Sequence, residues 1–321
     1  MKGFDAEFIN LDHYIRVITD RIWEGRRIDD IAQYYSDDCA VETPSHVSIG
    51  IEPVISGTKA TLIAFPDRRL LAEDVIISGD EHLGFLSSHR IASPMTHAGD
   101  GSFGPPSYKP VFARTIADCV CIDNKIVHEW LVRDQAALAR QIGLSEQIIA
   151  QRWLALRGNE KKAAMPPPPG AYLSFVDTDP RAQRYAHTYQ SLWSHAHSGD
   201  TLESLLTHTH HSEVIVATPG GEVCVGKAAL AQFWMSLQRA LPNAKFSIEH
   251  LVINERAGRA ASIAMRWRAQ AMHQGKGRYG QPTGKPIEVM GICHADMVDN
   301  QIVREWVLFD DVAVWMQIYD R

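Results

Sequence analysis

The chain has 321 residues, of which 45% are hydrophobic and 22% charged, and its formal net charge is −6. That length suits two ordinary domains, each able to bury a core, and the acidic balance argues against nucleic acid or an anionic membrane surface as the main partner, because phosphate binding needs a basic field. Met1-Lys2-Gly3-Phe4-Asp5-Ala6-Glu7 is charged where a signal peptide needs an apolar segment, no apolar run is long enough to span a bilayer, and Cys39, Cys119, Cys121, Cys224 and Cys293 contain no Cys-x-x-Cys pair. Reduced, buried thiols and a cytoplasmic location are the expectation.

In chain order the first predicted element is an amphipathic helix, with Phe8, Leu11, Ile15, Ile18 and Ile22 at spacings of three and four. Short helices are predicted around 28–35 and 58–65. Strands follow at 70–77, 83–93, 111–122 and 125–132, the last two joined by Asp123-Asn124, where a two-residue hairpin turn belongs. Residues 145–162 read as a helix. Met165-Pro166-Pro167-Pro168-Pro169-Gly170 can be neither helix nor central strand and reads as a stiff spacer. The expected division is a domain at 1–164, a linker at 165–174 and a second domain at 175–321. Asp179-Pro180 supplies an N-cap and a proline at the first helical position, and Tyr185, Tyr189 and Leu192 form the next apolar stripe. Helices around 202–206 and 227–239 precede strands at 245–254, 259–271, 287–298 and 301–308. Helices first and a hairpin-linked meander after is the α+β pattern, with helices packed on one face of a curved antiparallel sheet.

The two halves are copies. Asp123, Asn124, Ile126, Val127, Glu129, Trp130 and Asp134 recur without a gap as Asp299, Asn300, Ile302, Val303, Glu305, Trp306 and Asp310. Upstream, His97, Gly99, Gly101, Gly104, Pro106, Lys109 and Pro110 recur at the same offset as His273, Gly275, Gly277, Gly280, Pro282, Lys285 and Pro286. So long a period excludes a solenoid, whose units run to about 20–50 residues, and marks a duplicated domain.

Candidate chemistry clusters on the late strands. Ile126, His128, Trp130, Val132 and Asp134 fall on one strand face by parity, as do Ile302, Arg304, Trp306, Leu308 and Asp310. Asp134 and Asp310, in line with a buried tryptophan, could be carboxylates in apolar pockets with raised pKa values. Both also precede predicted helices and suit an N-cap. The paired strands place Arg114, Ile116, Asp118 and Val120, and in the copy Met290, Ile292, His294 and Asp296, on one face. Turned inward, that face makes a wet pocket, with His294 beside Asp310 and Asp118 beside Asp134; turned outward, it is surface. His97 and His273 lie in glycine-rich connections that suit a mobile loop. His89, in Ser87-Ser88-His89, lacks the glycine elbow of a nucleophile. His208-Thr209-His210-His211 lacks a Cys or carboxylate at ligand spacing and has no counterpart in the first half, so it reads as a solvated loop cluster and not a metal site.

Thr96-His97-Ala98-Gly99, Gly104-Pro105-Pro106, Lys109-Pro110, Ile126-Val127-His128-Glu129-Trp130 and Asp134 together resemble the SnoaL-like polyketide cyclases of the nuclear-transport-factor-2-like superfamily. The second half resembles them through Gly280-Gln281-Pro282-Thr283-Gly284-Lys285-Pro286, Ile302-Val303-Arg304-Glu305-Trp306 and Asp310. The resemblance implies two tandem cone-shaped domains, each a curved antiparallel sheet (the cystatin-like fold) with N-terminal helices over a ligand pocket. It implies cofactor-independent acid–base chemistry of the aldol cyclase or isomerase type on a small apolar carbonyl-bearing molecule, with the terminal aspartate, here Asp134 or Asp310, as general acid/base. Trp130, Trp306, Asp118, Arg114, His89, His97 and His273 are the expected pocket residues and His294 the acid–base partner of Asp310. A non-catalytic small-molecule-binding or scaffolding role suits the same fold. Single domains of this superfamily commonly dimerise through the open sheet face, so the fusion implies an intrachain pseudo-dimer.

Overall fold

In the computed structural model the described residues are 1–158, 160–167, 175–194 and 202–320. Of the expected linker, 168–174 lie outside them. The chain divides into two compact units, Met1–Leu173 and Ser174–Arg321.

Unit 1 opens with α1 (Leu11–Thr19), whose N-cap Asn10 accepts the His13 amide at 2.8 Å through Oδ1 and which buries Leu11, Tyr14, Ile15 and Ile18. A π-helical turn carries the stripe on to Ile22. The predicted second helix shrinks to a 3₁₀ turn and α2 (Ile31–Tyr34), because Tyr35 already belongs to β1 (Tyr35–Glu42). After β2 (Val47–Ile49) comes α3 (Ile51–Ala64), longer than predicted. The meander is β3 (Leu71–Asp80), β4 (Gly84–Thr96), β5 (Pro110–Ile122) and β6 (Lys125–Arg133), followed by α4 (Gln135–Ile142) and α5 (Glu146–Arg157). Unit 2 repeats the plan with α6 (Pro180–Ser194), α7 (Leu202–Thr207), β7 (His210–Thr218), β8 (Glu222–Val225), α8 (Gly226–Ala240), β9 (Lys245–Asn254), β10 (Ala261–Met272), β11 (Pro286–Val298), β12 (Gln301–Phe309) and α9 (Asp311–Tyr319).

The four long strands of each unit form the expected antiparallel meander. The strand orders are β2-β1-β6-β5-β4-β3 and β8-β7-β12-β11-β10-β9. The sheets are mixed, however, and not purely antiparallel, since β1 runs parallel to β6 and β7 parallel to β12. The early strands escape sequence pattern because both pairings are irregular, with register shifts between Tyr35 and Ala40 and between Ile302 and Arg304. A bulge breaks the strict alternation by which a strand is recognised.

Both hairpin turns behave as predicted. Asp123 and Asn124 have φ of 47° and 65°, and Asp299 and Asn300 have φ of 48° and 62°. Positive φ at both central residues is the type I′ turn that matches strand twist. Replacing Asn300 by Gly should leave stability within a few tenths of a kcal/mol, whereas Val, whose branched Cβ resists this region, should cost about 1–2 kcal/mol. Urea unfolding of the two variants checks this; equal midpoints would contradict it.

Candidate active site

Beneath α1 and α3, the sheet of unit 1 encloses a cavity of about 220 Å³. Its floor is one face of three strands: His89 and Ile91 of β4, Thr115, Ala117 and Cys119 of β5, and Glu129, Leu131 and Arg133 of β6. Ile15, Ile18 and Ile22 cover it from the helical side, and Arg68 enters from the segment after α3. The face is therefore the odd-numbered one over most of its length. Ile126 also reaches the cavity, because the register slips where Val120 pairs with His128 but Cys121 with Ile126. The extra residue, Val127, reverses the parity. Simple alternation from Ile126 put His128, Trp130 and Val132 on its side; beyond the bulge they turn to the other face.

The expected pocket residues divide accordingly. His89 lines the cavity. Trp130, Asp118 and Arg114 lie on the opposite face of the sheet: Asp118 stands across from Trp130 and accepts the Ser88 hydroxyl at 2.5 Å, and Arg114 pairs with Glu73 at 3.1 Å. Asp134 is the N-cap of α4, accepting the Ala137 amide at 3.0 Å, and Asp310 caps α9, accepting the Val312 amide at 2.9 Å. Both are buried. His294 stands across from Trp306, and four residues of extended chain, roughly 13 Å, separate Trp306 from Asp310. His294 and Asp310 are thus spread along the strand and not side by side.

His97 and His273 belong to a latch. The amides of Ala98 and Gly99 bond to the Ala64 carbonyl at the end of α3, and those of Gln274 and Gly275 to Ala240 at the end of α8. A Cβ on Gly99 would lie 2.0 Å from the Ile63 carbonyl oxygen, and one on Gly275 1.8 Å from that of Arg239. The repeated glycine is there for close approach to a helix end, and the connection expected to be mobile is a docked helix cap. His97 bonds Ser107 Oγ at 3.2 Å and His273 bonds Thr283 Oγ1 at 3.0 Å, each through Nδ1.

The cavity is also lined by Glu129, Arg133 and Arg68, which strict alternation along the strands does not mark. Glu129 is 7% exposed; burial raises its pKa, with Arg133 and the Tyr35 hydroxyl, which donates to Oε2 at 3.3 Å, acting against the rise. Burial drives His89 down to about 3, with Arg16 contributing, so the imidazole is neutral. Burial, and then Arg133, bring Arg68 down to about 9. Arg68 Nε, Arg133 Nε and His89 Nε2 are buried without a hydrogen-bond partner. The signal for Glu129 was present: it recurs as Glu305, and the odd face of β5 carries small side chains, Thr115, Ala117 and Cys119, which leave room above it.

Unit 2 fills the same space. Its counterpart carboxylate, Glu305, accepts the hydroxyls of Tyr185 at 2.5 Å and Tyr189 at 2.7 Å and bonds His210 Nε2 at 3.2 Å. Burial pushes its pKa up, but these partners outweigh it and hold the carboxyl below its usual range. His210 is buried in β7, not in a solvated loop. By register, Trp267 stands where unit 1 has Ile91, Gly291 where it has Thr115, Met265 where it has His89 and Phe309 where it has Arg133. A Cβ at Gly291 would meet Trp267 Cζ2 at 2.1 Å, so the indole lies directly on that backbone. Trp193 and Tyr189 pack on it, and Trp234 packs on both of these, to complete an aromatic core. Among the described residues no group of three or more His, Cys, Asp or Glu could hold a metal ion.

Two outcomes follow. Gly291→Ala should destabilise unit 2 by about 1–3 kcal/mol through overpacking against Trp267, read by thermal unfolding; an unchanged midpoint would contradict the contact. His89 has its pKa depressed on folding, so its contribution is present above 6.5 and lost as pH falls toward about 3. The loss amounts to at most about 1.4 kcal/mol per pH unit. His89→Met, the residue of unit 2, should remove that acid-side slope in urea titrations between pH 4 and 7; parallel slopes in parent and variant would refute the buried neutral state.

A family description, SnoaL-like polyketide cyclase, matches residues 14–142 and again 183–318. No curated protein sequence matches the chain. Among solved structures, a SnoaL-like protein from Jannaschia sp. CCS1 is 15% identical with a TM-score of 0.38, covering 45% of this chain and 98% of its own. A SnoaL-like polyketide cyclase from Agrobacterium tumefaciens C58 is 20% identical with a TM-score of 0.34, covering 42% of this chain and 98% of its own. A Catenulispora acidiphila protein with a ketosteroid isomerase-like fold is 13% identical with a TM-score of 0.32, covering 41% of this chain and 89% of its own. Two consecutive family matches, one in each unit and each spanning helices and meander alike, place this chain in the SnoaL-like polyketide cyclase family as a tandem pair of domains.

Proposed function

We propose that unit 1 is a cofactor-independent acid–base enzyme of the cyclase or isomerase type, acting on a small, mostly apolar, carbonyl-bearing molecule, and that unit 2 is a packed, non-catalytic copy. The observation that carries this is Glu129, a carboxyl buried in a cavity with its pKa raised by that burial. Such a group sits closer to neutral pH than a surface carboxylate and can both take and return a proton. Tyr35, whose pKa burial and the neighbouring Glu129 charge hold well above the ordinary phenol value, stays protonated and donates to Glu129. The hydroxyl thereby fixes which carboxylate oxygen is free to meet a substrate C–H. Neutral His89, with Nε2 unpartnered, supplies a second polar contact for a carbonyl oxygen. In unit 2 the equivalent carboxylate is tied by three donors on its two oxygens and buried beside aromatic rings, which leaves it no open position from which to take a proton from a ligand. Asp134 and Asp310 serve here as helix caps that hold the last strand against the following helix. The five free cysteines suit a reducing compartment, and we place the protein in the cytoplasm.

Hydrogen–deuterium exchange at the carbon next to the ketone of 2-tetralone, followed by proton NMR, tests the reading without knowledge of the natural substrate. The parent should accelerate exchange over buffer, and Glu129→Gln should lose about two to four orders of magnitude of that acceleration. Glu305→Gln should keep it. Exchange at the buffer rate with the parent, or full exchange in Glu129→Gln, would leave unit 1 a binding module.

A further inference from the structure

The cavity of unit 1 contains more positive than negative charge. Its fixed cations are Arg68 and Arg133, and its one carboxyl is Glu129; His46 and His89 have their pKa values lowered by burial. Arg68 is 4% exposed, which is unusual for a guanidinium without a carboxylate. Its contacts are weak for a charge: Nη2 reaches Ser93 Oγ at 3.4 Å, and the guanidinium lies 5.0 Å from the Trp23 ring centre. Its Nε is buried and unpartnered, and so is that of Arg133. Burying an under-compensated cation is costly, and the copy shows that the fold does not require it. The residue at the Arg133 position in unit 2 is Phe309, and the place after the helix taken by Arg68 is taken by buried Ala244.

The two arginines also share a location. A second cavity, of about 320 Å³, lies between the end of α3, the docked 99–104 loop and α4. Arg68, Arg133, Thr115 and Gly57 line both cavities, so the guanidiniums stand at their common wall. Asp100, the carboxylate that lines the outer cavity, is exposed to solvent.

We propose that Arg68 and Arg133 form a carboxylate-binding site, and that the ligand of unit 1 is an apolar carboxylic acid held with its carboxylate at this wall and its apolar body in the cavity above Glu129. Free guanidinium N–H groups present the paired donors that a carboxylate accepts. Glu129 offsets part of the Arg133 charge; an incoming anion supplies the second negative charge that the pair of arginines lacks and leaves Glu129 to act on a carbon further along the molecule. The site deepens the acid–base reading of the same cavity, on which it rests for the orientation of the bound acid, but it is a matter of binding and is testable without turnover.

The test is calorimetric titration of the full chain with 2-naphthoate and, separately, with 2-naphthamide, which matches its shape without the charge. The parent should bind one naphthoate per chain and the amide at least about tenfold more weakly, the size of effect expected when a buried charge pair loses one partner. Arg68→Met and Arg133→Met should bring naphthoate down to the level of the amide, while Arg68→Lys and Arg133→Lys should retain part of the preference. Circular-dichroism melts identify any variant that fails to fold; for that position the lysine variant and the acid-to-amide ratio of the parent decide. Repeating the titration with Glu129→Gln separates the two ideas. Naphthoate binding that persists there supports the anion site whether or not the parent exchanges ketone protons. Equal affinity for acid and amide in the parent, or naphthoate binding untouched in both methionine variants, overturns the anion site and leaves the role of Glu129 standing.

Discussion

A carboxyl group set beneath a sheet must either collect donors or hold its proton, and both units meet this requirement at the same point of the last strand. Glu305 collects donors: two tyrosine hydroxyls and a histidine surround it, and its pKa falls. Glu129 accepts from the Tyr35 hydroxyl at 3.3 Å, and burial raises its pKa. The same strand position therefore carries a carboxyl held below its usual pKa range in one unit and one raised above it in the other. The rest of each interior follows. Around the satisfied carboxylate of Glu305 aromatic rings close the core, whereas the space beside the under-satisfied Glu129 stays open.

The divergence needs few substitutions because the sheet amplifies them. Glycine at position 291 admits an indole onto the backbone, where Thr115 in unit 1 would refuse it. Trp267 then occupies volume that Ile91 leaves free, and Phe309 replaces a cation with a ring. Each exchange moves unit 2 toward apolar packing of native density, which stabilises that domain and fills the space that stays open in unit 1. Unit 1 keeps polar and charged groups that a purely structural domain would discard. Duplication allows this division, since one copy can hold a costly interior while the other is free to pack.

Much of the fold was legible because its strongest determinants are local. Asp123-Asn124 and Asp299-Asn300 announced the hairpins, the apolar stripes of α1 and α6 gave the first helices, and the repeat gave the two units. The first strands were not legible, since Asp37 and Asp38 or His210 and His211 stand where apolar alternation should begin, and their pairing partner lies far along the chain. The site failed for a smaller reason. One bulge residue, Val127, reverses the parity, so that strict alternation places Trp130, and Asp118 across from it, on the cavity face that Glu129 and Thr115 line. No one-dimensional pattern marks such a slip, because it depends on which residue of the neighbouring strand finds a partner. His210 was obscured in the same way: what makes it a buried donor is Glu305, ninety-five residues later.

The parallel pairing of β1 with β6 has a kinetic meaning. β3 to β6 can zip together through short turns, each step closing a small loop, but β1 has nothing to pair with along its inner edge until residues 125–133 have been made and folded. Joining Val41 to Glu129 and Glu42 to Trp130 closes a long loop and so belongs to the slow class of folding events. Until then the inner edge of β6 is an open row of backbone donors and acceptors, the kind of edge that captures other chains. Tyr35 arrives with β1, so the carboxyl of Glu129 gains its hydroxyl donor only at that late closure. The step that ends the exposure of the edge is also the step that completes the cavity, whose wall includes Tyr35 and Val41.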